Sequence, residues 1–201
     1  MSTPRDLFVV AMDVEHTRPV EQGDLSLALA GAEVIDLIDA HTVTLDGDLI
    51  VPGDWSEPAD RLLAEAASSI TRQAPYESVE EWLWRRGRGL YSAYLADLDA
   101  EGPGTRQRRR WLPSRTGQTV PVDSPARRSS ADRWASQEPV LTALATVVGI
   151  SDKAAEDFPS VTDEAVLTVL AAVDDAVTEL VAVRQRRAIE EAAFDNIWRG
   201  P

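Results

Sequence analysis

Residues 24–51 read DLSLALAGAEVIDLIDAHTVTLDGDLIV, and their change of period decides the fold class. In the first half, Leu27, Gly31, Val34, Ile35 and Ile38 recur at steps of three and four. That spacing predicts a helix with one apolar face. Asp24 stands just ahead of the run, where a carboxylate can cap the free N–H groups of a first turn. Gly31 costs about 1 kcal/mol against Ala in mid-helix, which is offset if another helix must approach closely there. In the second half Val43 and Leu45 alternate with Thr42 and Thr44, and Leu49 and Val51 alternate beyond Asp46-Gly47. Asp-Gly between two alternating runs predicts a tight hairpin whose central residues take positive φ. The unit is a helix feeding a two-stranded ribbon, and it contains nothing reactive.

On either side the signals are mostly helical. Leu7 to Met12 is a short apolar run that fits either a buried strand or a helical turn. Asp13 and Glu15 have no third ligand at useful spacing and lie in a loop. Pro58 suits the first turn of a helix carrying Leu62, Leu63, Ala66, Ala67 and Ile70. Ser78 and Glu81 form a capping box ahead of Val79, Trp82 and Leu83. Gly87-Arg88-Gly89 interrupts, and a new helix runs from Leu90 to Ala100 with Leu90, Tyr94, Leu95 and Leu98 inward, ended by Gly102-Pro103-Gly104. Arg106–Leu112 and Thr119–Val122 can pair as a second hairpin. Ser124-Pro125 opens a further helix, Pro139 to Val148 another closed by Gly149, and Ser160 with Asp163 caps a long one. That last helix carries Val166, Leu167, Leu170, Val173, Val177, Leu180 and Val183, and continues through the tail Arg184 to Trp198. With no repeat and no low-complexity linker, the expectation is one mainly α domain over residues 1–201, a compact helical domain around a buried central helix with two β-hairpins.

Composition narrows the function. The 201 residues include no Cys and only two His, His16 and His41, so disulfides and thiolate sites are excluded and a metal site is not expected. No apolar run reaches the roughly 18–20 residues of a membrane span. The first residues do not form a secretory signal, so a soluble, cytoplasmic chain is expected. The net charge of −14 is unevenly distributed. Residues 1–84 carry net −13, residues 85–133 net +6 and residues 134–201 net −7. A basic block inside an acidic chain either orients it toward an anionic surface or pairs with its acidic flanks. No nucleophile–base set, glycine-rich phosphate loop or paired His supports catalysis, and no cofactor is expected. A helix before an Asp-Gly ribbon mimics a winged helix, but Glu33, Asp36 and Asp39 make it acidic, against nucleic-acid binding.

Five pieces in order resemble the Golgi phosphoprotein 3 family, in its compact bacterial, actinobacterial-type form. They are LFVVAMD, LALAGAEVIDLIDAHTVTLDGDLIV, EPADRLLAEA, SVEEWLWRRGRGLYSAYLADLDAEG and the basic RRRWLPSRTGQTVPVDSPARR. The resemblance is clearest over residues 7–150, with residues 151–201 matching as C-terminal helices. It implies helices around a central helix and, in eukaryotic members, a non-catalytic peripheral membrane adaptor that binds the phosphoinositide phosphatidylinositol 4-phosphate. Carried over by position, Arg88 retains one headgroup residue. Glu21 and Ala30 stand where the family has Trp and Arg, and Tyr91 stands where it has a second Arg. The hairpin tip that touches the bilayer corresponds to Trp111 and Leu112, with Arg108, Arg109 and Arg110 beside them. The expected partners are thus an anionic membrane surface or phosphoinositide-like lipid. The alternative is a protein partner, with self-association through the 106–122 hairpin.

Overall fold

The computed structural model describes residues 2–14, 19–54, 58–101, 125–150 and 161–198. In chain order these form α1 (Thr3–Asp13), α2 (Gln22–Asp39), β1 (Val43–Asp46), β2 (Leu49–Pro52), α3 (Arg61–Ser68), α4 (Val79–Arg86) and α5 (Leu90–Glu101). Then follow α6 (Pro125–Ala135), α7 (Pro139–Val147) and α8 (Glu164–Trp198). Among the described residues the protein is therefore mainly α, with eight helices and one antiparallel hairpin. The second hairpin expected over 106–122 lies outside the described residues.

Helix α2 is buried more completely than its periodicity suggests. Every residue from Asp24 to Ile35 is buried, including Leu29 and Ala32 on the side opposite Leu27. A helix apolar all round packs on all sides, and α2 touches α1, α3, α4, α5, α7, α8 and β1. Its start also differs from expectation. Glu21, in extended conformation, is the N-cap and makes no side-chain capping bond, while Asp24 sits inside the first turn. There its charge still complements the helix dipole.

Gly31 behaves as its position suggests. A Cβ there would collide with Val173 Cγ2 of α8 and lie 3.6 Å from Leu83 Cδ2 of α4 and from Val169 Cγ1. Close approach of α8 sets this residue. At the preceding residue, the indole N–H of fully buried Trp82 donates to the Ala30 carbonyl at 3.0 Å, so the largest core side chain also has its polar atom satisfied.

The hairpin pairs Asp46 with Leu49 and Val43 with Pro52. The two turn residues are thus Gly47 and Asp48, not Asp46 and Gly47, and only Gly47 has positive φ, at +63°. Glycine at the first central position is the requirement of the other common two-residue turn. Val43 and Ile50 point into the core. The Ile50 N–H reaches the Glu77 carbonyl (2.9 Å) and the Val79 N–H reaches Asp48 (2.8 Å), which ties the ribbon to the start of α4.

Local signals set most other boundaries. The capping box at α4 is complete: Ser78 Oγ accepts from Glu81 N–H at 3.2 Å and the Glu81 carboxylate accepts from Ser78 N–H at 3.0 Å. Leu7 to Met12 is helical, with Pro4 in the first turn of α1. Helix α3 starts later than Pro58, because Asp60 caps it by accepting from the N–H groups of Leu62 and Leu63. Glu138 caps α7 in the same way, and Gly149 follows it with φ +76°. Leu95, expected inside, is 38% exposed. The rest of the expected face does pack inward: Leu90 and Tyr94 are buried and Leu98 is partly buried against the core.

The one carboxylate in the middle of α2, Glu33, is wholly buried, so it does not contribute to an acidic helix surface. Arg86 of α4 grips it with two bonds of 2.8 and 3.0 Å, and the Tyr94 hydroxyl donates at 3.2 Å. Arg86 extends further to Glu65 at 2.7 Å and to the Leu62 carbonyl at 3.1 Å. Burial pushes the Glu33 carboxyl up to about 7, against the downward pull of Arg86 and Tyr94. Burial acts downward on the Arg86 guanidinium, and the Glu33 and Glu65 carboxylates hold it above its ordinary value.

Two outcomes follow from this packing. Gly31→Ala gains about 1 kcal/mol of helix propensity but forces α8 away. The net loss should be about 1–3 kcal/mol in urea unfolding, and a stabilised variant would show that α8 yields freely. Glu33 binds its proton more tightly folded than at the ordinary carboxyl value of 4.5. Its contribution is therefore full below about pH 4.5 and declines as pH rises through 7. The unfolding free energy of the native chain minus that of Glu33→Gln should fall by on the order of 1–3 kcal/mol across that window. Parallel pH curves would show that Glu33 is ionised throughout.

Candidate functional site

Three stretches meet at the N-terminal end of α2. The first is the start of that helix, Glu21 to Ser26. The second is the Gly87-Arg88-Gly89 turn between α4 and α5. Gly87 is buried against α2, where a Cβ would lie 3.5 Å from both the Ser26 carbonyl and Leu27 Cδ2 and only 2.6 Å from the Leu83 carbonyl. Gly89, at φ +74°, reverses the chain into α5. The third is α8, whose Leu180 lies 2.8 Å from where a Gly23 Cβ would stand.

Arg88 projects from the turn, exposed and with no hydrogen-bond or ion-pair partner among the described residues. Tyr91, the second residue of α5, is half-buried. Its N–H donates to Ser26 Oγ at 3.2 Å, and its ring meets Phe8 edge-on at 5.4 Å. Its hydroxyl lies 4.0 Å from Met12 Sδ. Tyr91 thus links α1, α2 and α5 by packing rather than supplying charge. Glu21, at the helix entrance, is exposed. Ala30 does not join this group. It lies about two and a half turns further along α2, with no exposed surface and its carbonyl taken by Trp82. The fold therefore brings Glu21, Arg88 and Tyr91 to one end and leaves Ala30 in the core. Arg108, Arg109, Arg110, Trp111 and Leu112 lie outside the described residues.

Sequence reasoning missed Arg184. From α8 it reaches both Asp24 oxygens, at 2.6 and 2.7 Å, and stands 3.5 Å from Glu21. No local signal joins positions 160 residues apart. The only hint is that Arg184 follows Leu180 by one helical turn, on the face that packs on α2. Nearby, Arg127 of α6 pairs with Asp13 at the end of α1 at 2.5 Å. Deeper in, buried Asp6 accepts from Ser130 Oγ at 2.6 Å and from Arg133. The carboxylates of this end thus meet arginines from distant helices, and Arg88 is left facing solvent.

Among the described residues, no group of three or more His, Asp or Glu is placed to hold a metal ion. No described helix is long and apolar enough to cross a membrane. The end of α2 can therefore do two things: hold α8 in place through Arg184, and offer a single guanidinium at Arg88 to an anion. Arg184→Ala should lower stability by about 1–2 kcal/mol, because Asp24 is mostly buried while Arg184 is a third exposed and screened. An unchanged urea midpoint would mean that solvent replaces the pair without loss.

No curated protein and no solved structure matches the chain significantly. A family model does: that of Golgi phosphoprotein 3 (GPP34) matches residues 4–199. Since that leaves only the outermost residues at either end unmatched, the chain belongs to the Golgi phosphoprotein 3 family.

Proposed function

We propose that this chain is a non-catalytic adaptor that attaches peripherally to an anionic membrane through its Arg-rich 106–122 segment and the exposed Arg88 turn. Family membership over residues 4–199 carries this reading, because the family is known for adaptors that bind phosphatidylinositol 4-phosphate. In the proposal the chain is a bacterial, actinobacterial-type member and one domain, with α2 as its central helix. It works in the cytoplasm at the inner face of the membrane.

The charge pattern supports it. Each Lys or Arg close to an anionic surface is worth about 1 kcal/mol. Arg108, Arg109 and Arg110 stand beside Trp111 and Leu112, a residue pair suited to the interfacial zone. Headgroup selectivity is a separate matter. Of the family's headgroup positions Arg88 is retained, Glu21 is a carboxylate beside it, Tyr91 is engaged in packing and Ala30 is in the core. A phosphomonoester would face one free guanidinium and two acids, Glu21 and Asp24, that already share Arg184. Binding in this proposal follows surface charge rather than the 4-phosphate. The net charge of −14 favours a second reading, a self-associating protein-binding scaffold that uses the 106–122 hairpin without lipid.

Co-sedimentation with neutral, phosphatidylserine and phosphatidylinositol 4-phosphate vesicles, matched for charge across a salt series, separates these. Binding to both anionic sets, weakening with salt, is expected. Arg109→Ala with Trp111→Ala should reduce it about tenfold or more, the arginine alone being worth about 1 kcal/mol and the indole adding its interfacial contact. A preference for the phosphoinositide would overturn the charge-only reading. Failure to bind any vesicle would leave the scaffold.

A further inference from the structure

Helix α8 is 35 residues long, about 52 Å at the usual rise, and only part of it has a body to pack on. Val166, Val169, Val173, Ala176 and Val177 are buried, and Leu180 is half-buried. Arg184 then reaches back to Asp24 and Glu21 at the start of α2. From Gln185 to Ala192 every residue is exposed. Ile189, at 68%, is the most exposed large apolar side chain among the described residues. A helical segment of this length without tertiary contacts is marginal in water.

The charges on this segment are self-complementary. Arg186 and Arg187 precede Glu190 and Glu191, and none of the four has an ion-pair partner among the described residues. Ala182 and Ala192 share the face of Ile189 at helical spacing, so a neighbouring helix can approach closely there. Arg186 and Glu190, one turn apart, border one flank of that face. In an antiparallel pair the same flank of each helix faces the other. A two-fold axis level with Ala188 therefore sets Arg186 of one copy opposite Glu190 of the other, twice. The two Ile189 side chains are then offset by about 3 Å along the helices, close enough to pack together. A parallel pair would instead set like charges level with one another.

We propose that the exposed segment of α8 docks antiparallel on the same segment of a second copy of this chain, through Ile189 and reciprocal Arg186–Glu190 pairs. The contact is isologous, as two-fold dimers require. It is small, so the dimer dissociates on dilution. It is independent of the 106–122 hairpin and of the lipid reading. A membrane is the poorer occupant, because Glu190 and Glu191 follow the arginines directly and would face the same anionic surface.

Sedimentation equilibrium of the full chain tests this up to about 100 μM, the range suited to a weak, low-area contact. A dimer that weakens with salt is expected. Ile189→Asp and Arg186→Glu should each weaken association about tenfold or more, the latter by turning two attractions into repulsions. Arg186→Glu combined with Glu190→Arg restores both pairs and should restore the dimer. Trp111→Ala should leave it intact. A monomer at every concentration overturns the proposal. So does a dimer indifferent to the α8 substitutions, or a charge exchange that fails to rescue. Vesicle binding is scored separately, so either result leaves the lipid reading standing or falling by itself.

Discussion

A carboxylate in the middle of a helix with no exposed side must be neutralised from within. Glu33 is that carboxylate, and the way it is satisfied explains how α3, α4 and α5 are placed. The bidentate grip of Arg86 needs the last turn of α4 to lie across α2. The Tyr94 hydroxyl needs the second turn of α5 on the same side. The remaining Arg86 donors then draw Glu65 and the Leu62 carbonyl of α3 to the same point. Such a node adds less net stability than an apolar core of equal volume. Its effect is to penalise any register of these helices that leaves the charge unpaired.

The opposite side of α2 is governed by shape instead. Gly31 removes a side chain where Val173 passes, and the small residues Ala28, Ala30 and Ala32 let neighbours close in. Trp82 then fills the largest gap and gives its N–H to a backbone carbonyl. The strong local signals were legible in the sequence for a physical reason: a capping box, a glycine turn and a mid-helix glycine each concern residues within one or two turns. Thus Ser78–Glu81 and the close approach of a helix at Gly31 are where the residues pointed, and the hairpin is too, with its turn one residue later than expected. The errors came where tertiary partners decide. Asp24 looks like a cap by spacing, yet it is fixed inside the first turn by Arg184. Leu95 has the right period for the core, yet it is left 38% exposed. Leu7 to Met12 is too short for its period to choose between strand and helix, and burial between α2 and α6 decided for the helix.

The candidate site shows the same division. Arg88 came from positional correspondence alone, and its exposure between Gly87 and Gly89 is a finding of the structure. Ala30 was misleading, since positional correspondence carries no information about depth, and its place in the core follows from α2 being packed on every side. Arg184 had no sequence signal at all. An arginine that closes a contact across 160 residues is indistinguishable, in one dimension, from any solvated arginine on a long helix.

The arginines can be separated by what they face, which alters the meaning of the basic block. In the stretch that carries net +6, Arg85 pairs with Glu77, Arg86 with Glu33 and Glu65, Arg127 with Asp13, and Arg133 with Asp6 and Glu138. Arg86, Arg127 and Arg133 are fasteners between helices, Arg85 ties α4 to the loop before it, and their fields are largely cancelled at short range. For them, pairing with the acidic flanks is the right description of the charge pattern. Arg88 is different in kind, because nothing described compensates it. Among the described residues, charge that can act at a distance on a partner is therefore smaller than the composition suggests. It lies where a guanidinium is held out by local backbone geometry, not where arginines are most numerous among the described helices. An anionic surface approaching the α2 end would meet exposed Arg88 and exposed Glu21, whose charges act in opposite senses. The attraction is weak and unselective unless residues 106–122 add their own arginines to it.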